Sequence, residues 1–247
     1  MGILNLNQSY VYLVARFGRR GWLALTQRGA AIVLMETHCR RSPPWLKVVS
    51  MLGKAELLET LAPLDRGLAA TPQDRLAVQA AVVRLEDLNP TPDPLAHPDR
   101  LAGIWQLLYT TSSELLNLGR LPLTSLGPIY QAISTAQNRI YNLAEVNALP
   151  PFAGLVAVTA RLEPVSQRRV NVSFERGVFG LQGLLGYRDP QQFLQTLALT
   201  PKLSLLRGVD FSISPQRSSG WLEITYLDDD LRIGRGNQGN LFVLRRV

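Results

Sequence analysis

The chain has 247 residues, 46% of them hydrophobic and 18% charged, which supplies a sizeable core and excludes a disordered chain. Its single cysteine, Cys39, excludes an internal disulfide and a cysteine-type zinc site. The formal charge of +7 would suggest nucleic acid or an anionic membrane, but it is unevenly placed: residues 1–50 hold seven Lys/Arg against one acid, residues 51–100 five against eight, and residues 101–247 fourteen against ten.

In the leader, Arg16, Arg19, Arg20, Arg28, Arg40 and Arg41 interrupt short apolar runs such as Gly29 to Met35. None approaches the roughly 20 residues of a membrane span, and the pattern lacks the layout of a secretory signal. Residues 1–50 therefore read as a basic extension, either a targeting or membrane-surface arm or, the reading favoured by composition, a loosely structured or upstream segment. Met51 has the character of a fresh start, and a protein beginning there would carry only +1.

An amphipathic helix opens at Met51, with Leu52, Leu57, Leu58 and Leu61 on one face. Thr71-Pro72-Gln73-Asp74 signals a second helix running to about Asp87, with Leu76, Ala80, Val83 and Leu85 as its apolar positions. Asn89-Pro-Thr-Pro-Asp-Pro stops it and forms a stiff connector to residue 100.

From Leu101 the period becomes two. Strands are predicted near Trp105–Thr110, Ile129–Ser134, Ile140–Val146, Leu155–Leu162, Val170–Phe174, Val209–Ile213, Trp221–Tyr226 and Leu241–Leu244, with further short ones at Val178–Leu181 and Leu231–Ile233. One short helix, capped by Asp189 and presenting Phe193, Leu194 and Leu197, interrupts them. The fold class is α+β and mainly β: an antiparallel barrel over residues 101–247, preceded by a helical segment over 51–100 and covered by the short helix.

Chemical motifs are sparse. With only His38 and His97, there is little material for a catalytic triad or a metal site. Gly234-Arg-Gly236-Asn-Gln-Gly239 matches a dinucleotide fingerprint but leads into a terminal strand with no room for the phosphate-binding helix, so it reads as a hairpin. Asp228-Asp229-Asp230 lacks the later ligands of a calcium loop and reads as a solvated turn. Arg168-Arg169 and Arg245-Arg246 have no interleaved aromatics of a nucleic-acid surface. Gly177-Val-Phe-Gly180-Leu-Gln-Gly183-Leu-Leu-Gly186 leaves two readings open. It is either a lid or membrane-docking loop using Val178, Phe179, Leu181, Leu184 and Leu185, or a curved strand bent at its glycines.

Several runs resemble the plastid lipid-associated protein family, the PAP/fibrillin domain: Leu101-Ala-Gly103-Ile-Trp105-Gln-Leu-Leu-Tyr109-Thr-Thr-Ser112, Ile129-Tyr130-Gln131-Ala-Ile133, Arg139-Ile-Tyr-Asn142 and, above all, Gly220-Trp-Leu-Glu-Ile-Thr-Tyr226-Leu-Asp228-Asp-Asp230-Leu-Arg232-Ile-Gly-Arg235-Gly236-Asn-Gln-Gly239-Asn-Leu-Phe242-Val. The resemblance spans Met51 to the C-terminus, as one domain. It implies a lipocalin-like barrel that binds or carries isoprenoid, carotenoid, quinone or other lipid without catalysis, cofactor or metal. It also implies a photosynthetic cell or organelle, at the surface of thylakoids or lipid globules. The alternative it implies is an interaction partner of an isoprenoid- or prenylquinone-synthesising enzyme. Gly103-x-Trp105 is similar to the lipocalin opening, in which a tryptophan closes one end against a late-strand arginine, here Arg245 or Arg246. Under this resemblance the candidate ligand shell is Tyr109, Tyr130, Tyr141 and Tyr226 as phenol donors with Phe174 and Phe242 as apolar wall, the alternative for each, favoured because small barrels are often packed solid, being core filling. Asp228, Arg232 and Arg235 match the closing motif; they are expected to pair with one another, with Arg232 and Arg235 also able to hold a head group.

Overall fold

Turn residues divide the chain from Gly103 onward into short segments, most of which form strands. The computed structural model describes residues 2–5, 11–17, 21–26, 29–31, 44–119, 123–149, 151–200, 202–204, 206–214 and 219–247. His38, Cys39, Arg19, Arg20, Arg28, Arg40 and Arg41 lie outside them. The chain divides into two compact units, Met1–Lys47 and Val48–Val247. In the first, where a loosely structured extension is expected, β1 (Gly2–Asn5), β2 (Val11–Phe17), β3 (Gly21–Thr26) and β4 (Gly29–Ala31) form an antiparallel meander in chain order.

The second unit contains helices α1 (Pro44–Leu61, beginning in the first unit) and α2 (Pro72–Glu86), with the short α3 (Pro98–Leu101), α4 (Ser113–Leu116) and α5 (Gln182–Leu185), and then α6 (Pro190–Leu199). Its strands are β5 (Gly103–Thr110), β6 (Thr124–Ser134), β7 (Arg139–Ala148), β8 (Gly154–Pro164), β9 (Arg169–Leu181), β10 (Val209–Ser212), β11 (Ser219–Leu227), β12 (Leu231–Gly236) and β13 (Leu241–Arg246). All nine pair antiparallel in the order β10-β9-β11-β12-β13-β5-β6-β7-β8, and β8 pairs back onto β9. Eight of them therefore close into a ring. β9 makes this possible by its length: Arg169 to Ser173 pair with β11, while Arg176 to Phe179 pair with β10. The segment expected to be either a lid or a curved strand is thus in part the second half of β9. At Gly177 a Cβ would fall 2.4 Å from the Phe211 ring, so only glycine lets β10 lie there.

Alternation assigns every strand residue to one of two faces. The inner face is identified by contacts that skip strands. Arg232 on β12 hydrogen-bonds to Gln131 on β6, across β13 and β5, and Ile224 and Leu227 of β11 share a buried cluster with Ile129 of β6 and Ala144 of β7. The outer face is covered by helices on two arcs. Leu57 and Leu61 of α1 and Val78, Ala81, Val82 and Leu85 of α2 pack on Tyr109, Tyr226, Leu231, Ile233, Leu241 and Val243. Phe193, Leu194 and Leu197 of α6 pack on Tyr141, Leu143, Leu155, Ala157 and Val178.

α2 starts as expected, with Thr71 accepting from the Asp74 amide and Asp74 accepting from the Thr71 amide. Its buried face differs, however: Leu76 and Val83 are exposed, and only Leu85 of the expected positions is buried. Leu52 of α1 is likewise exposed. The stripe that α2 buries is instead Val78, Ala81, Val82 and Leu85.

Phe193 is 2% exposed at the centre of the α6 contact. Phe193→Ala should destabilise the second unit by about 3–5 kcal/mol, measured by urea unfolding of the full chain.

Candidate functional site

The four tyrosines expected in a ligand shell all face outward. Tyr109 and Tyr226 are buried beneath α1 and α2. Tyr141 lies under α6 with its hydroxyl donating to Gln137 Oε1 at 2.8 Å, and Tyr130 borders the same cluster. Phe174 and Phe242, by contrast, face inward and are half-buried. A strand residue and its neighbour point to opposite faces, and composition does not distinguish which parity is inside.

Asp228, Arg232 and Arg235 do not pair with one another. Arg232 points inward and Arg235 outward, as a spacing of three on a strand requires. Arg235 forms a bidentate pair with Glu86 at the end of α2, at 2.9 and 2.8 Å. This pairing holds its pKa above the ordinary arginine value.

Asp228 anchors α1 and is not a solvated turn residue. Its carboxylate accepts from Lys54 Nζ at 2.9 Å, the Tyr226 hydroxyl at 2.8 Å and the amides of Asp230 and Leu231 at 2.9 and 2.6 Å. Lys54 also contacts Asp230. Burial alone would raise the Asp228 pKa, but Lys54 and these donors outweigh it and hold the carboxyl below the usual range. Lys54 is shifted upward, its two acidic partners outweighing the opposing effect of burial.

Trp105 is fully buried, and its indole donates to the Leu101 carbonyl at 3.0 Å. The Arg246 guanidinium lies over the ring at 4.3 Å and that of Arg232 at 4.8 Å. Arg246 therefore takes the place proposed for a late-strand arginine, while Arg245 is exposed on the other face. Arg232 was not expected in that stack.

The interior has two halves. Around Trp105, the residues Leu107, Leu126, Ile129, Ala144, Ile224, Leu227 and Leu244 are buried. On the remaining arc the inward residues Val156, Val158, Leu162, Val172, Phe174, Leu222 and Phe242 are only half-buried. So are Gln131 and Asn142, joined by a 2.8 Å bond from Gln131 Nε2 to Asn142 Oδ1. Inward-facing side chains that keep solvent exposure line accessible space. The apolar surface continues onto Phe179 and Phe211, which are exposed at the edge where β10 lies. Sequence reasoning missed Gln131 and Asn142; the available signal was a polar residue at the same parity as Ile129 and Ile133, and as Ile140 and Ala144.

Of the five residues considered for membrane contact, Val178 and Leu185 are buried against α6 and have no access to a surface. Phe179 and Leu184 are exposed, and Leu181 is half-buried. No helix among the described residues is long and apolar enough to cross a membrane.

A separate cleft of about 310 Å³ lies outside the ring beneath the end of α6. The charged groups lining it already have partners. Arg176 binds Asp210 at 2.7 and 3.0 Å and the Leu197 and Thr200 carbonyls, and Glu175 pairs with Arg139 and Arg161. No group of three or more His, Cys, Asp or Glu placed to hold a metal occurs among the described residues.

A family model described as PAP_fibrillin matches residues 51–245. Plastoglobulin-1, chloroplastic, of Pisum sativum is 37% identical over 218 residues, covering 78% of this chain and 60% of the pea protein. Plastid-lipid-associated protein, chloroplastic, of Citrus unshiu is 33% identical, covering 87% of this chain and 72% of its own length. Chromoplast-specific carotenoid-associated protein of Cucumis sativus is 32% identical, covering 77% and 66% respectively. The chain thus spans about 60% of the pea relative. No solved structure matches significantly.

Replacing Asp228 by Asn should cost roughly 1–3 kcal/mol, read by urea unfolding at neutral pH. Because the folded-state pKa is depressed, the contribution is present above the ordinary carboxylate range and is lost as pH falls through the folded value. The stability gap between wild type and Asp228→Asn should therefore close in acid.

Proposed function

Because the chain belongs to the PAP_fibrillin family, we propose that its second unit is a non-catalytic binder or carrier of apolar molecules, holding them inside the strand ring. The observation that carries this reading is the half-buried inner arc from Val156 and Val158 to Phe174 and Phe242. Apolar surface removed from water there contributes on the order of 25 cal/mol per Å², so a long isoprenoid, carotenoid or other lipid chain needs few polar contacts. In this reading the ring is a lipocalin-like barrel. Trp105 with Arg232 and Arg246 forms its closed side, and residues 51–247 act as one domain.

The relatives' chloroplast and chromoplast names support a site of action in a photosynthetic cell or organelle, and a thylakoid or lipid-globule surface is the apolar interface proposed within it. Phe179, Leu184 and Phe211 are the exposed apolar side chains suited to such a surface. A second reading, docking to an isoprenoid-synthesising enzyme, is favoured by Leu76 and Val83, which share one exposed face of α2 two turns apart.

Purification under native conditions followed by lipid extraction and mass spectrometry should yield a near-stoichiometric apolar molecule. Phe174→Asp should lower its recovery at least about tenfold by placing a charge in the apolar chamber, while Tyr130→Phe on the outer face leaves it unchanged. A lipid-free protein that retains a synthase through α2 would favour the second reading.

A further inference from the structure

Arg232 is a cation in an unusual place. It is 1% exposed, points into the ring, and its Nη1 has no hydrogen-bond partner. Its Nη2 donates to Gln131 Oε1, and its guanidinium lies over the Trp105 face. None of the inward positions of the ring strands carries Asp or Glu among the described residues. The nearby Arg246 adds a second positive charge, while its own donors go to the Arg100, Ala102 and Asp229 carbonyls. Burial, with a smaller effect from Arg246, pushes the Arg232 pKa down to about 9, so the side chain remains charged at neutral pH. A buried unpaired charge is costly, and a conserving solution is an anion brought by a ligand.

We propose that Arg232 receives the carboxylate head group of an amphipathic ligand whose hydrocarbon chain occupies the half-buried inner arc. This rests on the ring interior being the ligand chamber. The neighbouring polar groups suit a two-oxygen anion. Gln131 is held in place from both ends, accepting from Arg232 and donating to Asn142 Oδ1, which leaves the Asn142 Nδ2 as a second inward donor. Asn142 pairs across strands with Val158, so the head-group donors sit beside the start of the apolar wall. One orphaned guanidinium nitrogen and one amide match a carboxylate in donor number, whereas a neutral carotenoid or hydrocarbon would leave the charge uncompensated.

The test uses the full chain with three probes below their micellar concentrations: carboxyl-labelled oleate, methyl oleate and oleyl alcohol. Oleate should bind at least about tenfold more tightly than its ester or the alcohol, and its bound carboxyl should titrate below the free acid, as a neighbouring cation requires. Arg232→Gln should reduce the preference to within about twofold. Should that variant fail to fold by circular dichroism, Asn142→Leu provides the second measurement, with weakened oleate binding and unchanged ester binding expected. Equal binding of oleate and ester by wild type overturns the carboxylate receptor while leaving the chamber intact. Binding of none of the three overturns both.

Discussion

Closure of the ring at β9 is the constraint on which the other features depend. β9 is long enough to pair with β8 along its length and still give one half to β11 and the other to β10. Closure pairs each ring strand on both sides, leaving β10 as the edge strand, and makes the two parities of each ring strand unequal, one facing a common interior and the other the outer surface on which the helices pack. Bulges at Thr225, Leu108 and Glu175 change the parity within a strand, so the face of a residue follows from its register and not from its position in the motif.

The helices are fixed to the outer face by polar ties as well as by apolar packing. Lys54 holds α1 to the β11–β12 turn, Glu86 holds α2 to β12, and Arg176 joins the end of α6 to β9 and β10 through Asp210. These pairs are shielded from water, with Lys54 and Asp228 below 20% side-chain exposure, and so retain more of their Coulomb attraction than exposed pairs. The polar residues of the inner face, Gln131, Asn142 and Arg232, bond to one another and take no part in these ties.

Strand segments and helix caps were legible because each has a local signal: alternation in Ile140–Val146, Thr71 with Asp74, Asp189 before Pro190. The family resemblance was also legible, in the run from Gly220 to Val243. The inner face was not. Tyr141 and Asn142 are adjacent, and only pairing with β6 and β8 reveals that the first meets α6 and the second faces the ring interior. The partners of Asp228 and Arg235 were equally hidden, since Lys54 and Glu86 lie 174 and 149 residues away along the chain.

The central claim is that apolar ligands contact the inner arc and not the helix-covered outside. Methyl-selective NMR of the full chain with a bound carotenoid or oleate measures this directly. Ligand-to-protein NOEs to the Val158, Val172 and Leu222 methyls, with none to Leu155, Leu194 or Leu197, are the predicted result. NOEs confined to the α6 cluster, with silent inner methyls, would contradict it.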